Sequence, residues 1–125
     1  MDDALIRPLR AAREQAYDRA RPDVVTRIHE RGRLTARERI EAVIDPGSFV
    51  ETGVLAGAED EAAGGLVAGL ATVFGASVSI CSYDYSVWGG TQTGINHSKI
   101  DRIMDLAIRY RWPFVCFADG GGARA

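Results

Sequence analysis

Leu66-Val67-Ala68-Gly69-Leu70-Ala71-Thr72-Val73-Phe74 and Ser77-Val78-Ser79-Ile80-Cys81-Ser82-Tyr83-Asp84-Tyr85-Ser86 flank Gly75-Ala76. The first run is apolar with small residues and the second is rich in β-branched and aromatic residues, so the pair reads as a hairpin turning at Gly75-Ala76. Working outward, Val87-Trp88-Gly89-Gly90-Thr91 is a glycine-bearing loop. Residues 93–111 then turn helical, with Ile100, Ile103, Met104, Ala107 and Ile108 at i, i+3, i+4, i+7 and i+8. Asp105 and Arg109 form an i,i+4 pair on the outer side. Pro113 ends the helix, and residues 113–118 read as a buried strand. That strand empties into Asp119-Gly120-Gly121-Gly122-Ala123. Glycines after a strand offer bare backbone N–H groups to a ligand, because no Cβ blocks the approach. Such donors, reinforced by a following helix N-terminus, are how an oxyanion hole is built.

Upstream, residues 3–20 are rich in helix formers and Pro22 interrupts them. A second helical stretch over 23–31 is broken by Gly32. Thr35-Ala36-Arg37-Glu38 has the form of a capping box, and Ile40, Val43 and Ile44 give the helix behind it one apolar face. Asp45-Pro46-Gly47 stops that helix, Ser48-Phe49-Val50-Glu51 is a short strand, and residues 52–63, with Glu59, Asp60 and Glu61, read as an exposed loop. The expected order is helical arm, strand, hairpin, helix, strand.

Composition bounds the function. The 125 residues are 46% hydrophobic and 26% charged, as in a soluble globular protein. No apolar run is long enough to span a membrane, and the charged start is no signal peptide. A net charge of −2 carries no nucleic-acid signature. Residues 1–40 hold ten arginines against seven acids. Such a start could grip a polyanion, although the interspersed acids fit a solvated face laced with ion pairs better. Cys81 and Cys116 both lie in apolar runs, which suits buried thiols in a reducing compartment. His29 and His97 sit in no ligand-spaced motif. The sequence has no GxGxxG after a strand and no phosphate-binding GxxxxGK[ST].

Four blocks carry a resemblance. Gly32-Arg33-Leu34-Thr35-Ala36-Arg37-Glu38-Arg39-Ile40, followed by Asp45-Pro46-Gly47-Ser48-Phe49-Val50-Glu51, is similar to the opening block of the biotin-dependent acyl-CoA carboxylase carboxyltransferase family, which includes propionyl-CoA carboxylase β chains. Residues 82–91 resemble the family's QDFTVFGGS stretch. Lys99-Ile100 with Ile103-Met104-Asp105 and Ala107 resembles its KI…IMD…A helix, and Asp119-Gly120-Gly121-Gly122-Ala123-Arg124 resembles its DSGGAR. The likeness covers residues 30–125. Departures are Gly120 where the family has Ser, Asn96 where it commonly has His, Ala125 where it usually has Ile, and a short loop at 52–63. Family members also continue for several hundred residues with a second similar domain.

The resemblance implies an α/β, crotonase-like fold, a spiral of ββα units. It is here incomplete, with a helical arm over 1–31 and the truncated N-terminal part of the carboxyltransferase domain over 32–125. It implies transfer of a carboxyl group from carboxybiotin to the α-carbon of an acyl-CoA. Both halves of that reaction develop an oxyanion, which backbone N–H donors can hold. By resemblance the catalytic donors are Gly121 and Gly122; the residues do not say which of the two oxyanions they serve. Asp119 fits a loop organiser better than a base. Gly89, Gly90 and Lys99 are substrate-contact candidates, set against a tight turn for the glycine pair and an exposed helix lysine for Lys99. No metal is expected. The implied cofactor is biotin on a separate carrier domain or subunit. The implied partners are acyl-CoA, a biotin carboxylase and biotin carrier subunit, and further copies of the full-length chain in a homo-oligomer, with no nucleic acid and no membrane. The implied setting is cytoplasmic fatty acid metabolism. The isolated chain is expected to be inactive. Two other readings stand beside this one: a biotin-dependent acyl-CoA decarboxylase subunit, and a non-catalytic assembly piece.

Overall fold

A computed structural model describes residues 3–57 and 62–123. Residues 59–61 of the acidic loop, and Arg124 and Ala125, lie outside the described residues. Three helices lead the chain: α1 (Asp3–Gln15), α2 (Pro22–Glu30) and α3 (Ala36–Glu41). Pro22 opens α2 at its first position, where a missing N–H and a fixed φ cost nothing. The capping box forms as expected: Glu38 N–H donates to Thr35 Oγ1 at 3.2 Å, and Thr35 N–H donates to Glu38 Oε2 at 2.8 Å.

Four strands follow, β1 (Val50–Glu51), β2 (Leu66–Val73), β3 (Ala76–Tyr83) and β4 (Phe114–Phe117), with α4 (Gly94–Tyr110) between β3 and β4. They form one sheet in the order β1-β2-β3-β4. β1/β2 and β2/β3 are antiparallel, whereas β3/β4 is parallel, which requires the crossover that α4 supplies. The hairpin turns one residue earlier than expected, at Phe74-Gly75, where φ is +48° and +77°. Two positive φ values match the twist of a two-residue hairpin loop. Asp45 holds this turn: its carboxylate accepts from the N–H groups of Phe74 and Gly75 and from the Thr72 hydroxyl. The Asp-Pro-Gly stretch that stops α3 therefore also fixes the hairpin.

The central strands β2 and β3 are covered on both faces. On one, Ala36, Ile40 and Ile44 pack on Val67, Ala71, Val78 and Ile80. On the other, Ile103 of α4 packs on Leu66, Ala68 and Cys81. β2 and β3 are thus buried on both sides, which accounts for their near-continuous apolar runs.

Four expectations are corrected. β4 is not a buried strand: Phe114 and Cys116 are exposed, because among the described residues β4 pairs only with β3 and one of its faces is uncovered. Cys81 is buried but Cys116 is not, although the two stand opposite each other in register. Ile108 lies off the packed face of α4 at 74% exposure, and no Asp105–Arg109 ion pair forms; Arg109 lies over the Tyr110 ring instead.

Candidate active site

β3 ends at Tyr83 and the chain turns at Asp84, whose carboxylate accepts from Ser86 N–H and Ser86 Oγ. Arg21 reaches the same carboxylate from the arm at 3.5 Å. The next residues carry the first glycine loop over the exit of β4. There the two glycine runs, thirty residues apart in sequence, meet backbone to backbone. Gly121 N–H donates to the Gly89 carbonyl at 3.2 Å, and Gln92 N–H donates to the Gly122 carbonyl at 2.8 Å. The Gln92 side-chain amide donates to the Gly90 carbonyl at 2.9 Å. A Cβ on Gly90 would lie 2.1 Å from the Asp119 carbonyl oxygen, and one on Gly120 would lie 2.1 Å from the Gly90 carbonyl oxygen. Neither position has room for any side chain. A Ser where Gly120 stands, as in the family pattern, would require the loops to move apart.

Gly122 behaves differently. Its φ is +106°, and nothing lies within 4 Å of where a Cβ would stand. Its N–H finds no partner among the described residues, whereas that of Gly121 is taken by Gly89. The loop is solvent-exposed. Of the two expected donors, then, Gly122 is free to meet a ligand and Gly121 ties the loop down.

Asp119 anchors the same loop. Its Oδ2 accepts from Arg33 and, at 2.6 Å, from Arg39. Burial pushes the Asp119 carboxyl up, but the hydrogen bonds and charges of Arg39 and Arg33 outweigh it and hold the group below the usual carboxylate range. A carboxylate so held is a poor proton acceptor, which agrees with a loop organiser and not with a base. Arg33 also lies over the Tyr85 ring at 4.6 Å from its centroid. Three of the four motif blocks, at 32–40, 82–91 and 119–123, therefore converge on one cluster.

Lys99 belongs to another neighbourhood, and it is not an exposed helix lysine. It is 6% exposed, with Nζ donating to the Leu66 carbonyl at 2.8 Å. Its stem passes under Gly53, and it lines a cavity with Thr52, Ala56, Ile95, Ser98 and Arg102. Burial pushes its ammonium down to about 8. The spacing that could have revealed this is plain in retrospect: 99, 103 and 107 fall on one helix face, and Ile103 and Ala107 are buried with Lys99. Asn96 shares that face, donating to the Gly64 carbonyl at 2.5 Å and accepting from Thr93 N–H at 2.9 Å to cap α4. The basic start also resolves, toward ion pairs: Arg19 meets Glu14, Arg37 meets Glu51, and Arg33 and Arg39 meet Asp119. Among the described residues no group of three or more metal-ligating side chains occurs. No helix among them is long and apolar enough to cross a membrane.

A family model described as the carboxyl transferase domain matches residues 27–125. The chain belongs to the carboxyl transferase domain family. It is 37% identical to the biotin-dependent acetyl-/propionyl-coenzyme A carboxylase beta5 subunit of Mycobacterium tuberculosis, over 93% of this chain and 23% of that one. Among solved structures it matches a single-chain, multi-domain long-chain acyl-CoA carboxylase with a TM-score of 0.86 and 43% identity, over 99% of this chain and 14% of that one. It matches transcarboxylase 12S, solved as a hexamer with methylmalonyl-coenzyme A bound, with a TM-score of 0.83 and 30% identity, over 99% of this chain and 26% of that one. Its fold is the crotonase-like fold of these carboxyltransferases, and the chain spans about a quarter or less of the relatives' length.

Proposed function

We propose that the protein carrying this chain transfers a carboxyl group from biotin to the α-carbon of an acyl-CoA, and that Gly122 supplies an oxyanion donor. The observation that supports this most is that the Gly122 N–H has no partner among the described residues, on a loop held in place by the Gly121–Gly89 bond and the Gly90–Asp119 contact. As the α-proton leaves an acyl-CoA, charge moves onto the thioester oxygen. A pre-set N–H aimed at that oxygen stabilises the charge without reorganising at the moment of reaction. Gly121 and Gln92 hold the donor's position through their bonds to Gly89 and Gly122. Biotin carrying the carboxyl group on its ureido nitrogen would supply it when bound, and the ureido group left anionic by that loss would take up the α-proton.

The helical arm over 1–31, a biotin-carrying partner, assembly with further copies and a cytoplasmic setting complete the reading. The hexamer and bound methylmalonyl-coenzyme A of transcarboxylase 12S support assembly and acyl-CoA use.

The test supplies the full protein with biotin carboxylase, biotin carrier, ATP, labelled bicarbonate and acetyl- or propionyl-CoA. Acid-stable label in the acyl-CoA, dependent on the carrier, is expected. Carrier-dependent loss of label from a carboxyacyl-CoA, with no incorporation in the forward direction, would contradict the proposal and favour the decarboxylase.

A further inference from the structure

We infer that Asp119 is a positioning residue, and that Arg33 and Arg39 form with it a clamp through which the N-terminal segment sets the geometry of the glycine loop. The inference rests on the oxyanion reading of Gly122. Arg33 lies just past α2 and Arg39 lies within α3, 86 and 80 residues before the carboxylate they share. Asp119 is 19% exposed, Arg39 18% and Arg33 33%, so the three charges are largely withdrawn from water. In that setting the removal of one partner leaves a partly buried charge uncompensated, which costs more than the loss of a surface ion pair.

The clamp lies immediately before the loop it would control. The Asp119 carbonyl is the atom that Gly90 packs against, so the side chain fixed by the two arginines belongs to the residue whose backbone sets the loop-to-loop approach. Gly121 and Gln92 then close the contact from the other side. Arg33 spans both loops at once, pairing with Asp119 and covering Tyr85 beside the first glycine run. α3 is itself fixed, because its capping box is complete and Ile40 is buried in the core, so Arg39 projects from a rigid base.

The experiment is amide hydrogen exchange and steady-state kinetics on the full protein bearing Asp119→Asn, Arg39→Gln or Arg39→Lys. The reporters are the Gly121 and Gln92 amides, which bond across the loops; Thr52 N–H, bonded to the Ala68 carbonyl at 2.8 Å, is the remote control. Asp119→Asn and Arg39→Gln should speed exchange at Gly121 and Gln92 about tenfold or more, with Thr52 unchanged. They should lower kcat about 10- to 100-fold and leave KM for the acyl-CoA within about twofold, because a displaced donor costs the reaction more than it costs binding. Arg39→Lys keeps the charge at a contact made through one nitrogen, and should retain most of the protection and the rate. Unchanged exchange at Gly121 and Gln92 would overturn the clamp, as would a rise that Thr52 shares. Faster loop exchange with undiminished kcat would instead uphold the clamp and overturn the oxyanion reading.

Discussion

A methyl group on Gly90 would lie 2.1 Å from the Asp119 carbonyl oxygen, whereas one on Gly89 would meet nothing within 4 Å. Both residues have positive φ, so both would strain as alanine, but only Gly90 would also collide with backbone. Gly89→Ala should therefore cost about 1 kcal/mol of stability, the ordinary left-handed penalty. Gly90→Ala should cost about 3 kcal/mol, because overpacking adds to that strain. Thermal unfolding of the two variants checks this, and equal losses would mean that the loops do not pack as described. The two glycine runs are conspicuous in the sequence, but their mutual contact is not, since nothing local in Gly-Gly-Thr announces a second backbone thirty residues away. The same is true of Arg33 and Arg39. They stand among ten arginines of the first forty residues, and composition cannot distinguish a clamp from a solvated face.

Among the elements, α4 shows most clearly where periodicity succeeds and where residue type misleads. Its helical spacing is legible, and Ile103 is fully buried as that spacing requires. Lys99 lies on the same face, yet the usual preference of lysine for water suggests the opposite. What overrides the preference is the Leu66 carbonyl, which receives Nζ at 2.8 Å, and the stem's apolar packing. This has a pH consequence. Lysine in the unfolded chain titrates near 10.5, and burial brings folded Lys99 down to about 8. Between those values the unfolded state binds more protons, so the contribution of Lys99 to stability rises as pH rises. Lys99→Met should remove that rise, which amounts to about 3 kcal/mol across the window. Urea midpoints of both proteins from pH 7 to 10.5 provide the comparison; parallel curves would contradict the burial. At β4 the mismatch runs the other way. The apolar run over 113–118 reads as a buried strand, but burial depends on what covers it, and that partner is not encoded in the strand itself.

At the scale of the molecule, the order of hairpin, helix and strand is readable because each step has its own local signal: a glycine turn, a 3.6-residue period and a proline stop. The convergence of the blocks at 32–40, 82–91 and 119–123 is not, because it arises from the crossover that returns β4 beside β3. That crossover delivers the last glycine loop onto the first and brings both under the arginines of the N-terminal segment. On the proposed function, the chemistry falls to a backbone amide that this convergence holds in place. Gly122→Val in the full protein tests it most directly. Valine at φ +106° adds a branched Cβ on the side now open and disfavours the loop's conformation. The variant should assemble normally and lose roughly a hundred- to a thousandfold in kcat, the cost of about 2.7–4 kcal/mol for one oxyanion donor. A Gly122→Val protein that carboxylates acyl-CoA at close to the parent kcat would contradict the assignment.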